Sequence, residues 1–279
     1  MPALARHFAA LLFLLPGTAL HAAETPAAPA ALQSALTPIL AGNWRSDTNR
    51  ARDKYRHPAE TLAFFGVNPM SRVVEISPGN GWYSEILAPL LAPAGRYVAA
   101  FPLPAADAPA EVAANANKLK ARFTADPAQF SAAQVVNYES STPVFGAPAS
   151  ADVVLTFRNV HNWVKAGTAP AYFQAFFNVL KPGGVLGIED HRAKPGTALD
   201  INSGYLPEDY VIKLATAAGF VLDGHSEINA NPNDSKDYPK GVWTLPPTLA
   251  LGATDRDKYL AIGESDRFTL RFVKPATQP

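Results

Sequence analysis

Two histidines stand where a base would be useful. His161 follows the apolar run ADVVLTF at 151–157, and His191 follows VLGIE at 185–189. Imidazole is the side chain whose ordinary pKa suits proton transfer near neutrality. Asp190 adjoins His191 and can orient it or hold an ammonium group. His161, His191 and Asp190 are therefore the candidate catalytic set. A second polar set surrounds a glycine turn: Glu75, Pro78, Gly79, Asn80 and Gly81, then Trp82 and Tyr83. One of these two aromatics should face a ligand, with Tyr83 assigned to it, while the other packs. Arg158 and Asn159 come directly after the 151–157 run, and Arg56 lies upstream. A guanidinium grips a carboxylate in a fork, so Arg56 or Arg158 is a candidate for an amino-acid carboxylate. The two histidines with Glu189 and Asp190 also offer metal-ligand chemistry. No spacing such as H-E-x-x-H accompanies them, so no metal centre is expected.

These residues need elements that aim them at one place. Residues 72–91, RVVEISPGNGWYSEILAPLL, supply the first. A β-branched run of strand length breaks at Gly79 and Gly81. The apolar residues then change to helical spacing at Trp82, Tyr83, Ile86, Leu87, Leu90 and Leu91. That reads as strand, tight turn, helix. Glycine lets the backbone turn and lets a ligand approach, and the new helix presents free N–H groups. Downstream, runs at 96–101, 134–138, 152–157, 185–189, 220–223 and 268–273 read as strands, separated by helical patterns at 109–123, 168–180 and 206–218. Thr168 and Asp107 are candidate caps. Strands alternating with helices predict an α/β, doubly wound, mostly parallel sheet. Only the last pair lacks a clear helix between its strands, so six strands should be parallel and the seventh antiparallel.

In such a sheet ligands sit outside the carboxyl ends of the strands. That rule gathers the glycine turn, Arg158 to Trp163, and Glu189 to Arg192. It adds His225, Ser226, Glu227, Asn229, Asn231 and Asp234 from a long Pro- and Asn-rich insertion at 225–266, expected to roof the pocket. Helical stretches before the first strand can close over the sheet's end or pack on its flank.

The 279 residues are 48% apolar and 17% charged, with no net charge and no basic run, which argues against a nucleic-acid partner. Residues 1–23 have a small basic start (Arg6, His7), a short apolar core and a small-residue end, the pattern of a secretory signal peptide. A leader and helices then occupy 24–57, and the main domain 58–275. There is no cysteine, so no disulfide, thiol chemistry or lipid-anchoring cysteine. The expectation is a periplasmic or secreted protein without stable membrane insertion.

The chain resembles the class I S-adenosylmethionine-dependent methyltransferases over about 58–275. The resemblance rests on EISPGNG at 75–81 as the glycine motif, ADVVLTF at 151–157 as the fourth strand, LKPGG at 180–184 before the fifth, and the reversed last strand. RDKYRHPAETLAFFGV, RNVHNW and NPNDSKDYPKGVW look more closely like a group of exported bacterial predicted methyltransferases. The resemblance implies a seven-stranded Rossmann-like fold, S-adenosylmethionine as cofactor, a small-molecule methyl acceptor, and cofactor contacts from Glu75, Pro78, Gly79, Asn80, Gly81, Tyr83, Arg158 and Asn159. The family's ribose-binding acid after the second strand is absent. Phe101 stands there, and Asp107 is the nearest carboxylate. A nicotinamide oxidoreductase would need glycine where Ser84 stands. The remaining alternative is an exported binding protein on the same scaffold.

Overall fold

The computed structural model describes residues 29–104 and 110–276. The predicted signal peptide and Asp107 lie outside them. Seven strands form one sheet: β1 (Arg72–Ile76), β2 (Arg96–Pro102), β3 (Ala133–Tyr138), β4 (Ala151–Phe157), β5 (Leu180–His191), β6 (Val221–Ser226) and β7 (Arg267–Val273). Their order is β3-β2-β1-β4-β5-β7-β6. The pairs among β1 to β5 are parallel, and β7 is antiparallel to both β5 and β6. The doubly wound, mostly parallel sheet with a reversed last strand is the expected one.

The strand residues alternate between two cores. Val74 and Ile76 of β1 join one, and Val73 joins the other. On the first face pack α8 (Val160–Lys165), α9 (Ala169–Val179) and α10 (Glu208–Ala217). On the second pack α1 (Ala30–Leu40), α4 (Pro58–Phe64), α5 (Ser84–Leu91), α6 (Ala110–Ala125) and α7 (Pro127–Phe130). Each fully buried Leu, Ile or Phe contributes about 1.5–3 kcal/mol, so the two cores dominate the fold's stability.

Several local readings change. The helices expected within 24–57 include two single turns, α2 (Asp47–Arg50) and α3 (Asp53–Arg56), and a left-handed His57 stops α3 before Pro58 starts α4. Thr168 does not cap α9; its hydroxyl donates to the Trp163 carbonyl at 3.5 Å. The turn Lys181 to Gly184 does not end before a strand but bulges within β5, between the pairs Ala151–Leu180 and Val153–Val185. β6 runs on through Ser226. The insertion after it holds a 3-10 turn (Gly241–Thr244) and α11 (Arg256–Ile262).

The N-terminal helices do both things open to them. α1 packs on the flank through Leu32, Leu36 and Ile39. Buried Arg45 then pins the next segment: it pairs with Asp53 at 2.7 Å and with Glu85 of α5 at 3.6 Å. Trp82 Nε1 donates to the Asn49 carbonyl at 2.9 Å. These ties bring α2 and α3 over the carboxyl ends of the strands.

Candidate active site

A cavity of about 570 Å³ lies over the carboxyl ends of β1, β4 and β5. Its floor is the 75–80 turn, its walls are Phe157, Arg158, Asn159, His161, Asn162 and His191, and α2 and α3 close one side with Thr48, Asn49, Arg52 and Arg56. Val242, Trp243, Pro246, Pro247 and Thr248 of the insertion lie across it.

The glycine turn has two functions in two places. Gly79 has φ 59, and a Cβ there would meet nothing within 4 Å, so its backbone is open to a ligand. Gly81, with φ 79, does not line the cavity; a Cβ there would sit 2.5 Å from Leu119 Cδ1. Its role is to let α6 approach, a correction to its assignment as a cofactor contact. Ser77 takes φ 50, a left-handed conformation that costs a non-glycine residue roughly 1–2 kcal/mol. It is held by its N–H to the Ala100 carbonyl at 2.8 Å and by its hydroxyl to Tyr138 Oη at 2.8 Å.

Glu75 lines the cavity but is only 2% exposed. Tyr97 Oη donates to its Oε2 at 2.6 Å. Burial pushes its pKa up to about 7 against the opposing hydrogen bonds from Tyr97 and Ser84. Trp82 and Tyr83 do not divide between pocket and core as expected. Both are buried and both line the cavity, with Tyr83 stacked on Phe157 at 3.6 Å between ring centres. Asn159 reaches the cavity wall while its amide donates to the Ile76 carbonyl at 3.0 Å, tying β4 to β1. Pro78 and Asn80 line the floor.

The two histidines come together, with ring centres 5.2 Å apart. Asp190 is fully buried and does not line the cavity, so it cannot hold a ligand's ammonium group there. Nor does its carboxylate orient the His191 ring. It sits 2.9 Å from His161 Nδ1 and accepts the backbone N–H groups of His161 and His191. With Asp190 as acceptor, His161 carries its proton on Nδ1 and leaves Nε2 free as a base. Among the described residues nothing hydrogen-bonds to that Nε2. His191 is held instead by Ser265 Oγ at 2.6 Å from Nδ1. Burial, then the neighbouring His161 and Arg158, push the His191 pKa well below its ordinary value, so it is neutral. His161, Asp190 and His191 offer ligand atoms within 4.8 Å of one another, which spacing in sequence did not suggest. Both Asp190 oxygens are already committed, and three arginines share the cavity. The set therefore reads better as a buried carboxylate–imidazole pair than as a cation site.

Arg158 also takes a left-handed φ, 60, and its N–H donates to the Glu189 carbonyl at 2.7 Å. This turn brings its side chain to the cavity wall, 3.5 Å from Glu264. Arg52, Glu264, Ser265 and Arg267 were missed from sequence. The last three lie at the start of antiparallel β7, whereas the strand-end rule points only to residues beyond the carboxyl ends of parallel strands. His225 lies away from the cavity, between Glu208 and Glu227 at 3.2 and 2.7 Å. Asn229 and Asn231 line a separate cavity of about 210 Å³, and Asp234 binds Tyr205 and the Asp266 N–H.

No family model matches the sequence, and no curated protein does. Solved structures do. A S-adenosylmethionine-dependent methyltransferase from Aquifex aeolicus is 15% identical, over 80% of this chain and 93% of that one, with a TM-score of 0.53. The [4+2]-cyclase SpnF is 14% identical, over 90% and 98%, with a TM-score of 0.55. At such identities the likeness is one of fold: the chain has the class I methyltransferase fold. That a protein described as a cyclase shares it is a reminder that the fold leaves the reaction open.

The cavity fits S-adenosylmethionine in part. Open Gly79, the polar floor and the adjacent arginines suit an amino-acid moiety. The ribose side differs: Phe101 at the end of β2 is 4% exposed, and among the described residues none from β2 or β3 lines the cavity.

Proposed function

We propose that the protein is an S-adenosylmethionine-dependent methyltransferase acting on a small-molecule acceptor. The observation that carries this is the His161–Asp190 pair, with a free imidazole nitrogen in a cavity beside an open glycine turn of the class I fold. The S-adenosylmethionine dependence of the Aquifex protein supports it. The cofactor, when bound, supplies a methyl group on a sulfonium centre. Gly79, Pro78 and Asn80 line its place. His161 Nε2 takes the acceptor's proton, Asp190 fixes the ring and steadies the resulting imidazolium, and neutral His191 is a hydrogen-bonding wall. The insertion limits access of water. Positioning of this kind lowers barriers by roughly 7–11 kcal/mol, and a suitable base adds about 10²–10⁴-fold. Isothermal titration of the purified chain with S-adenosylmethionine and S-adenosylhomocysteine tests the reading. No heat with either at millimolar concentration ends it.

We also propose that the chain belongs with exported bacterial methyltransferase-like proteins and works in the periplasm or outside the cell. The supporting pattern is residues 1–23. A mature N-terminus found near residue 24 in an exported fraction is expected; an intact Met1 there contradicts it. Buried Phe101, in place of a ribose-binding acid, favours a second reading, an exported binding protein on this scaffold. Transfer of labelled methyl to any extract component excludes it.

A further inference from the structure

The cavity is short of negative charge. Arg52, Arg56 and Arg158 line it, and with Arg267 they share one carboxylate, Glu264, which lies 2.5–3.6 Å from a nitrogen of each. Among the described residues the only other acid in this cluster is Glu189, held by Arg267 at 2.9 Å. Four guanidiniums face two carboxylates, which leaves two positive charges in excess. Two of the four are enclosed, Arg56 at 2% and Arg267 at 1% exposed, while the side chains of Arg52 and Arg158 are partly open, at 20% and 23%. A buried charge without a partner is costly. Arg56 Nε and Nη2 and Arg52 Nη2 are buried without a hydrogen-bond partner. Trp82 lies over the face of the Arg56 guanidinium, 4.6 Å from its ring centre, so the edge donors are what remain for a ligand. Glu75 offsets little, because it is close to half protonated at neutral pH.

S-adenosylmethionine does not correct the imbalance. Its sulfonium and ammonium outnumber its one carboxylate, so it enters with a net positive charge. Something else must bring the anion. We infer that the second ligand of this cavity, the acceptor in the proposed reaction, is a small organic oxyanion, a carboxylate or a phosphate, gripped by Arg52, Arg56 and Arg158. Trp82, Tyr83, Phe157 and Trp243 suit an apolar or aromatic body for the same molecule. His161 opens on the same cavity, so one end of the ligand is clamped while the other meets the base. The word acceptor rests on the methyltransferase reading; the anion site rests on the charge count and the unpartnered arginine donors.

The test is isothermal titration of the purified chain at low salt with benzoate and with inorganic phosphate, each with and without S-adenosylhomocysteine. Saturable binding of one of them is expected, weakened by added salt and retained with S-adenosylhomocysteine bound. Benzoate alone would point to a carboxylate acceptor, phosphate alone to a phosphorylated one. Arg158→Gly should weaken binding roughly 10–100-fold, and it is chosen because the left-handed backbone there accepts glycine readily. Arg56→Lys keeps the charge, loses the fork, and should also weaken binding. No saturable binding of either anion, or unchanged affinity in Arg158→Gly, overturns the inference. So does anion binding abolished by S-adenosylhomocysteine, which would give the arginines to the amino-acid carboxylate. Anion binding without any S-adenosylhomocysteine binding supports the site and removes the methyltransferase reading, so the two failures are separable.

Discussion

The two halves of the sheet's carboxyl edge are built differently. Over β1, β4 and β5 the chain ends in Gly79, Arg158, His161 and His191, all but open to one cavity. Over β2 and β3 it ends in buried Phe101 and Tyr138. Ser77 is drawn toward that second half by Ala100 and Tyr138, while Leu103 N–H closes onto the Tyr138 carbonyl at 2.8 Å. One half turns its residues toward the cavity and carries strain at Arg158. The other devotes them to packing. The difference teaches that a fold built to expose a whole edge need not use it evenly.

The comparison can be broken most severely at His161. His161→Ala should lower methyl transfer by about 10²–10⁴-fold while S-adenosylhomocysteine affinity, read by titration, stays unchanged. Affinity lost in parallel would mean that the open half binds but does not catalyse. On the closed half the roles reverse. Phe101→Ala should cost about 3–5 kcal/mol of stability by denaturant unfolding, with transfer per folded molecule little changed. Glu75 stands at the boundary. Its raised pKa means that the folded protein holds a proton the unfolded chain has released, so stability falls as pH rises from the ordinary glutamate range through about 7. Glu75→Gln should remove that slope and be more stable above neutrality, by the order of 1–3 kcal/mol. The smallest effect is expected far from both halves. His225 has its pKa raised, first by its hydrogen bond to Glu227 and further by Glu208, against the opposing effect of burial. Its contribution is full below the ordinary histidine pKa and is lost as pH rises through the raised folded value. His225→Gln should flatten this part of the melting profile by well under about 1 kcal/mol, since the pair is partly exposed.

Much of this was legible in the chain, and the reason is local. Strands of β-branched residues and glycine breaks announce themselves within a few positions, so the sheet and its reversed last strand could be read directly. The cavity floor and both histidines followed from one rule about strand ends. What sequence could not give was partnership. Nothing adjacent in the chain says that Asp190 turns to His161 rather than to its neighbour His191. That is settled by the packing of α8 against β5. Gly81 looked like Gly79 until α6 was laid over it. The arginine cluster joins α3, β4 and β7, three segments remote in sequence, and its excess of charge exists only once they meet.

The reversal of β7 has one more consequence. The insertion leaves the sheet at the end of β6 and returns at the start of β7, and these two points are neighbours, with Ser226 opposite Thr269. Both ends of the loop are therefore anchored at the same rim of the molecule. Its middle can change in length without altering the register of any strand, while Glu264 and Ser265 at its return stay tied to the arginines and His191. The roof of the cavity can thus vary while its floor and walls stay where the sheet sets them.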